Sequence, residues 1–379
     1  MTKKTLSLKW RILRLVAIVV VAFLGVIVGA KFYQYMAYQH GQEVLAETKS
    51  QEAIAKRQDR LLHRSNSSQA IDKENQVRFK NEVEAAHKLV TQEDGKTIVH
   101  HKFGQTVMPE NPQRIVVIRM EDPMLALDIP FLAGNYNESH YLYKELSAKG
   151  VGVISVNDDA KTINYEQVQA LHPDLIIMRD SFSQSVYDKL NQIAPTAAFN
   201  LRQHGVSLLA LSYAMGRGKE GEARLQVFYD RVKFFRMALA DHIGQGKVAH
   251  LRVLNKEVRL YPYSTNDISR FMYEKLNLNP PQMVLDGDYS TANNAISLER
   301  LPDLDADYLV VSAGYGPSSK ENAKLAEAKL ETLRQDPVFA MIPAVKEGHV
   351  LYVDTGLWNA HGILQEEKAM DDIYEAWGR

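Results

Sequence analysis

The sequence predicts an α/β protein: two lobes with largely parallel sheets, joined by one long helix and preceded by a transmembrane helix and a helical stalk. Three observations carry this expectation. Short apolar runs such as Leu175 to Met178 do not alternate with polar residues, as befits strands covered on both faces. Amphipathic helical stretches separate those runs. One helix-to-strand unit also occurs twice, once in each half of the chain, which argues for two similarly built lobes.

Residues 1–30 carry Lys3, Lys4, Lys9, Arg11 and Arg14 and no acid. The uncharged run Leu15 to Ala30, with Ile12, Leu13, Phe32 and Tyr33 as apolar flanks, approaches the ~20 residues that cross a bilayer. The basic side is expected to stay in the cytoplasm, which makes the chain a single-pass protein of the cell membrane with extracytoplasmic lobes. Val28-Gly29-Ala30 would also serve as the cleavage site of a signal peptide, but the length of the run favours an uncleaved anchor. A net charge of −1 argues against a nucleic-acid partner. The absence of cysteine excludes disulfides, thiolate metal sites and a thioether-linked lipid.

Residues 31–96 contain no proline and are rich in Glu, Lys, Arg, Gln and Ala. Phe79, Val83, Ala86 and Val90 fall at heptad-like steps, so the segment reads as a helical stalk interrupted near Ser65 to Ser68. That stripe would serve a stalk-mediated dimer or a solvated helix with one apolar side. Beyond it, RIVVI, FLAG, VGVISV, DLIIM and PTAAF predict strands of an N-terminal lobe over residues 97–218. A connecting helix is expected over 219–245. VAHLRVL, VRLY, YLVVS and HVLYVD then predict a C-terminal lobe over 246–379.

The repeated unit begins at INYEQVQALHPDLIIM, where Asn164 is placed to cap a short helix and Gln167 to return the bond as in a capping box. Val168 and Leu171 share a face, and Pro173 ends the helix before the strand. The second copy, ISLERLPDLDADYLVV, offers Ser297 as the cap. Glu166 precedes Asp174 by the same interval that separates Glu299 from Asp307. Each glutamate lies in a first helical turn, where a carboxylate suits the positive end of the peptide dipoles. A plain helix start would need nothing more.

FGQTVMPENPQRIVVI, ALDIPFLAG, YEQVQALHPDLIIM, IAPTAAF, the mid-chain helix, ISLERLPDLDADYLVV and FAMIPAVKEGHVLYVDTGLW occur in that order. Together, from about Phe103 to Arg379, they resemble the class III substrate-binding proteins of ABC importers for iron–siderophore complexes, haem and cobalamin. The resemblance implies a ligand cleft between two lobes held rather rigidly by the connecting helix, with binding in place of catalysis and no cofactor. It also implies one acidic residue per lobe, Glu166 and Glu299 by motif, presented to arginines of an ABC permease. The chain departs from the pattern in lacking a lipobox cysteine, for which the N-terminal membrane segment and stalk would substitute. The departure leaves a second reading: a ligand-sensing or interaction protein that signals through its stalk and transmembrane helix.

In open α/β sheets ligands bind beyond the carboxyl ends of the strands. Reading past each strand gives Arg119, Asn135, Tyr136, Arg179, Arg202 and His204 in the first lobe. The second offers Tyr261, Tyr263, Tyr315 and Trp358. Guanidinium forks with aromatic walls suit an anionic ferric siderophore. A solvated arginine or an aromatic packed at a lobe edge is the plainer account of each. His204 and His361 lack a paired carboxylate in the sequence, so no metal site is predicted. GRGKEG at Gly216 to Gly221 has dinucleotide-loop spacing but follows a helical stretch, so it reads as a glycine-marked helix end. No H-E-x-x-H, G-x-S-x-G or thiol nucleophile proposes a reaction.

Overall fold

A computed structural model describes residues 64–157, 162–263, 267–286, 294–314 and 320–379. The expected transmembrane run at 15–30 lies outside them, and among the described residues no helix is long and apolar enough to cross a membrane.

After a helix over Ser68–Leu89 comes a three-stranded antiparallel meander: β1 (Val90–Glu93), β2 (Lys96–His101) and β3 (Gly104–Val107). Asp94 and Gly95 both have positive φ, 50° and 75°, the tight hairpin that an Asp-Gly pair favours. The first lobe follows with β4 (Ile115–Ile118), β5 (Ala133–Gly134), β6 (Gly152–Val153), the small hairpin β7 (Val156–Asn157) and β8 (Thr162–Ile163), then β9 (Leu175–Arg179) and β10 (Thr196–Phe199). Five of these form a parallel sheet in the order β10-β9-β4-β5-β6. β4 and β10 are buried throughout, which accounts for their unbroken apolar or small composition. The chain enters at β4, builds outward through β5 and β6, then returns to add β9 and β10. The strand order therefore reverses between β4 and β9.

The second lobe repeats this plan with β11 (Val248–Val253), β12 (Val258–Leu260), β13 (Asn294–Ile296), β14 (Tyr308–Ala313) and β15 (Val350–Val353), in the order β13-β12-β11-β14-β15. β11, β14 and β15 are parallel, whereas β12 and β13 are antiparallel, so this sheet is mixed. The connecting helix, Gly218–His242, buries Leu225, Phe228, Tyr229, Val232, Phe235, Arg236 and Leu239 at helical spacing. Gly216, at φ 69°, turns the chain between this helix and the preceding one.

The repeated unit is real at its strand end. Asp174 accepts from the amides of Gln113 and Arg114 at 2.7 and 2.9 Å, and Asp307 accepts from the amide of Lys247 at 2.7 Å. Each acid thus ties the start of its own strand to the start of the lobe's central strand. The helical ends differ. Asn164 caps Tyr165–Ala170 through the Gln167 amide at 3.1 Å, but Gln167 turns its own side chain to the Ser155 amide at 3.0 Å, so the box does not close. Ser297 makes no side-chain cap, and Leu298–Asp303 is a 3₁₀ helix because Pro302 lies within it.

The stalk expectation is corrected over residues 64–96. Ser68–Leu89 is a helix, but it lies against the His204–Ala214 helix and the connecting helix. Ile71 and Ala86 are wholly buried, Val90 nearly so, and Phe79 and Val83 are half-buried. Polar contacts pin the same helix: Asn75 Nδ2 donates to the Tyr229 carbonyl at 3.0 Å, and Arg236 Nη1 and Lys233 Nζ meet Glu74 and Asp72, each at 2.7 Å. Arg78 Nη2 reaches the Glu274 carbonyl of the second lobe at 2.6 Å. The apolar stripe read as a dimer seam is satisfied within its own chain, and residues 90–96 belong to the meander. Residues 31–63 lie outside the described residues.

Candidate functional site

Three arginines meet at the reversal point of the first sheet. Arg119 directly follows β4, Arg179 is the last residue of β9, and Arg202 lies beyond β10. Burial, then repulsion from Arg202 and Arg119, pulls the Arg179 guanidinium below its ordinary pKa. Burial lowers Arg119 as well, against the attraction of Glu121. His140 belongs to the same neighbourhood: burial, reinforced by Arg119, pushes it down to about 4, which leaves it neutral at pH 7.

The second lobe faces this cationic group with Asp267 and His361. Asp267 Oδ2 lies 3.0 Å from His361 Nδ1 and 4.0 Å from Arg202 Nε. Burial would raise the Asp267 carboxyl, but His361, Arg270 and His204 together hold it well below the usual range. Burial lowers His361, with the bond to Asp267 opposing. Asp267, paired with Arg270 of its own lobe, thus reaches Arg202 across the lobe joint.

Just behind, buried carboxylates join the lobes. Asp122 accepts from Tyr141 Oη at 2.8 Å and from the amides of Leu364 and Gln365 at 3.2 and 3.0 Å. It therefore caps the C-terminal helix, Ile363–Trp377, from across the molecule. Gly362 is required at this approach: its φ is 149°, and a Cβ would come 2.0 Å from Asp122 Cγ. Burial pushes Asp122 up to about 6. One turn on, Glu366 accepts from Lys275 Nζ at 2.7 Å and lies 2.9 Å from His204 Nδ1. Burial would raise Glu366, yet Lys275 and His204 outweigh it and hold it at about 2. Glu82, from the N-terminal helix, accepts from Tyr229 Oη at 2.7 Å, and burial raises its carboxyl.

Of the residues expected at the ligand, Arg119, Arg179 and Arg202 are brought together. Several others are corrected. Tyr136 is buried with Leu142 and Leu146 and donates its hydroxyl to the Val151 carbonyl. Tyr263 is wholly buried beside Tyr273. Trp358 is also wholly buried, with Nε1 donating to Asp372 at 2.8 Å and its ring against His250 and Phe271. Tyr261 is buried against His250. An aromatic just past a strand can continue the lobe core as readily as it can line a cleft, and here that packing wins. His204 is buried in the lobe joint, where its Nε2 has no hydrogen-bond partner among the described residues. Tyr315 lies outside them. Among the described residues no cluster of His, Asp and Glu is arranged to hold a metal.

Glu166 and Glu299 are both exposed, in the first turns of Tyr165–Ala170 and Leu298–Asp303. Sequence reasoning missed Asp267, His140 and Glu121. The pair Glu121-Asp122, directly after a strand-end arginine and one residue, was the readable signal for the last.

The chain resembles proteins of known class. The periplasmic binding protein family matches residues 133–356, more than half of the chain. A probable siderophore-binding lipoprotein of Bacillus subtilis, YfiY, is 28% identical over 291 residues, covering 73% of this chain and 86% of the relative. The Fe(3+) dicitrate-binding periplasmic protein FecB of Escherichia coli is 27% identical over 293 residues, 73% of this chain and 91% of the relative. The crystal structure of Staphylococcus aureus SirA complexed with staphyloferrin B superposes with a TM-score of 0.61 at 21% identity, covering 74% of this chain and 97% of that one. On its fold and this family match, the chain belongs to the periplasmic binding protein family.

Proposed function

We propose that the protein is a membrane-tethered, extracytoplasmic receptor that captures a ferric siderophore and delivers it to an ABC permease. The ligand class the site suits best is an anionic, carboxylate-bearing ferric chelate. The observation that carries this reading is the convergence of Arg119, Arg179 and Arg202 at the carboxyl ends of β4, β9 and β10. Planar guanidiniums in a half-dry crevice pair bidentately with carboxylates and discriminate against neutral chelates. Relatives that bind siderophore and Fe(3+) dicitrate support a ferric chelate as the ligand.

Residues 15–30 would hold the receptor at the outer face of the membrane, and Glu166 and Glu299 would meet the permease, one from each lobe. His204 pairs with Glu366 in the lobe joint, and Tyr136, Tyr263 and Trp358 belong to the core and not to the ligand surface. The test is calorimetric titration of the full-length chain in mild detergent with ferric citrate, a neutral ferric trihydroxamate and a ferric tris-catecholate. Saturable binding of ferric citrate that weakens with salt is expected. Preference for the neutral trihydroxamate, or no binding of any of the three, would overturn the proposal.

A further inference from the structure

We infer that Glu121 is a positioning residue for the arginine-lined crevice: its buried carboxylate gathers the amides of Arg119 and Asn135 and so sets the direction in which Arg119 leaves β4. The inference rests on the reading of that crevice as the ligand site.

Arg119 has φ 64°. A side-chain-bearing residue in this left-handed region is held there by its surroundings, because its intrinsic preference lies elsewhere. The surroundings are specific. Glu121 Oε1 accepts from the Arg119 amide at 3.3 Å and from the Asn135 amide at 2.5 Å. β4 and β5 lie side by side, with Val116 opposite Ala133, so these two amides mark the carboxyl ends of neighbouring strands. One oxygen therefore ties both strand ends together at the mouth of the crevice. Space for it is left by Gly134, where a Cβ would come 2.9 Å from Glu121 Cγ. Glu121 is only 3% exposed, so it acts on a ligand through Arg119 and not by touching it.

The experiment is a double-mutant cycle on the full-length chain, with ferric citrate as probe, using R119A, E121A, E121Q and R119A/E121A. Glu121→Ala is expected to weaken binding about tenfold, the order of one lost charge-assisted contact, and Glu121→Gln to stay within about threefold because its amide oxygen still accepts. In the Arg119→Ala background, Glu121→Ala should cost less than about twofold, since residues acting through one another are not additive. An undiminished cost there, or an E121Q as weak as E121A, would overturn the inference. If E121A fails to fold, Glu121→Asp replaces it: the carboxylate withdrawn by one methylene should weaken binding in a folded protein, and unchanged binding would count against us. Amide hydrogen exchange provides a readout free of ligand: E121A, or E121D in its place, should speed exchange at Arg119 and Asn135, and unchanged rates would refute the hold. Failure of the wild type to bind ferric citrate would overturn the carboxylate-chelate reading of the crevice, whereas the exchange rates still decide whether Glu121 holds the two amides.

Discussion

Glu121 and Asp122 are adjacent, both buried, and do different work: one faces the crevice and the other caps a helix from across the molecule. Burial pushes their carboxyls up, to about 7 and about 6, despite the amides and hydroxyl that favour the charged forms. A carboxyl whose folded pKa exceeds its unfolded value stabilises the fold when protonated. That contribution is present below the unfolded pKa of about 4 and is lost as pH rises through the folded one. Glu366, held at about 2, has the opposite sign: its contribution is present above the unfolded value and is lost as pH falls toward 2. Glu121 and Asp122 therefore favour the fold less as pH rises from 5 to 8, with Glu121 alone supplying on the order of 3 kcal/mol of that loss, while His140, whose folded pKa is lowered, acts in the opposite sense below about pH 6.5. Thermal unfolding of the wild type and Glu121→Gln from pH 4 to 8 checks this. The substitution should flatten the alkaline slope, and parallel profiles would show that Glu121 does not titrate there.

At the scale of elements, the N-terminal helix is the least expected feature. Its apolar stripe was legible, but the surface that receives it was not, because the stripe repeats locally while its partners lie more than a hundred residues downstream. Ala86 sits at the centre of that contact with no exposed surface. Replacing it with glutamate would bury an unpaired charge or force the helix off, at a cost of about 2 to 4 kcal/mol. Denaturant unfolding of Ala86→Glu, read together with hydrogen exchange over residues 68–89, measures both effects. Wild-type stability with full protection would mean that the helix contributes little to joining the lobes.

For the whole molecule, the role proposed for the two exposed glutamates is delivery and not capture. Each lies outside the arginine crevice, in a short helix whose integrity does not depend on its carboxylate. The double variant Glu166→Ala with Glu299→Ala is expected to leave the dissociation constant for ferric chelate within about twofold and to lower permease-dependent uptake at least about tenfold, as for paired charges lost from a docking rim. Uptake at the wild-type rate would remove them from the interface. Coupling between lobes runs elsewhere, through Asp122 on the C-terminal helix and through Glu366 with Lys275 and His204.

The sequence by itself determined the central strands of both lobes, the connecting helix, the spacing of the repeated unit and the arginines that follow strand ends. Each of these follows from local periodicity, a turn residue or the rule that ligands meet parallel strands at their carboxyl ends. Only the tertiary structure decided that Trp358, Tyr263 and Tyr136 turn into the core, that the N-terminal helix lies on the body, and that Asp267 reaches Arg202. The physical reason is that an aromatic ring or an apolar stripe specifies only that it must be covered. What covers it is set by the packing of segments distant in sequence, which no local pattern encodes.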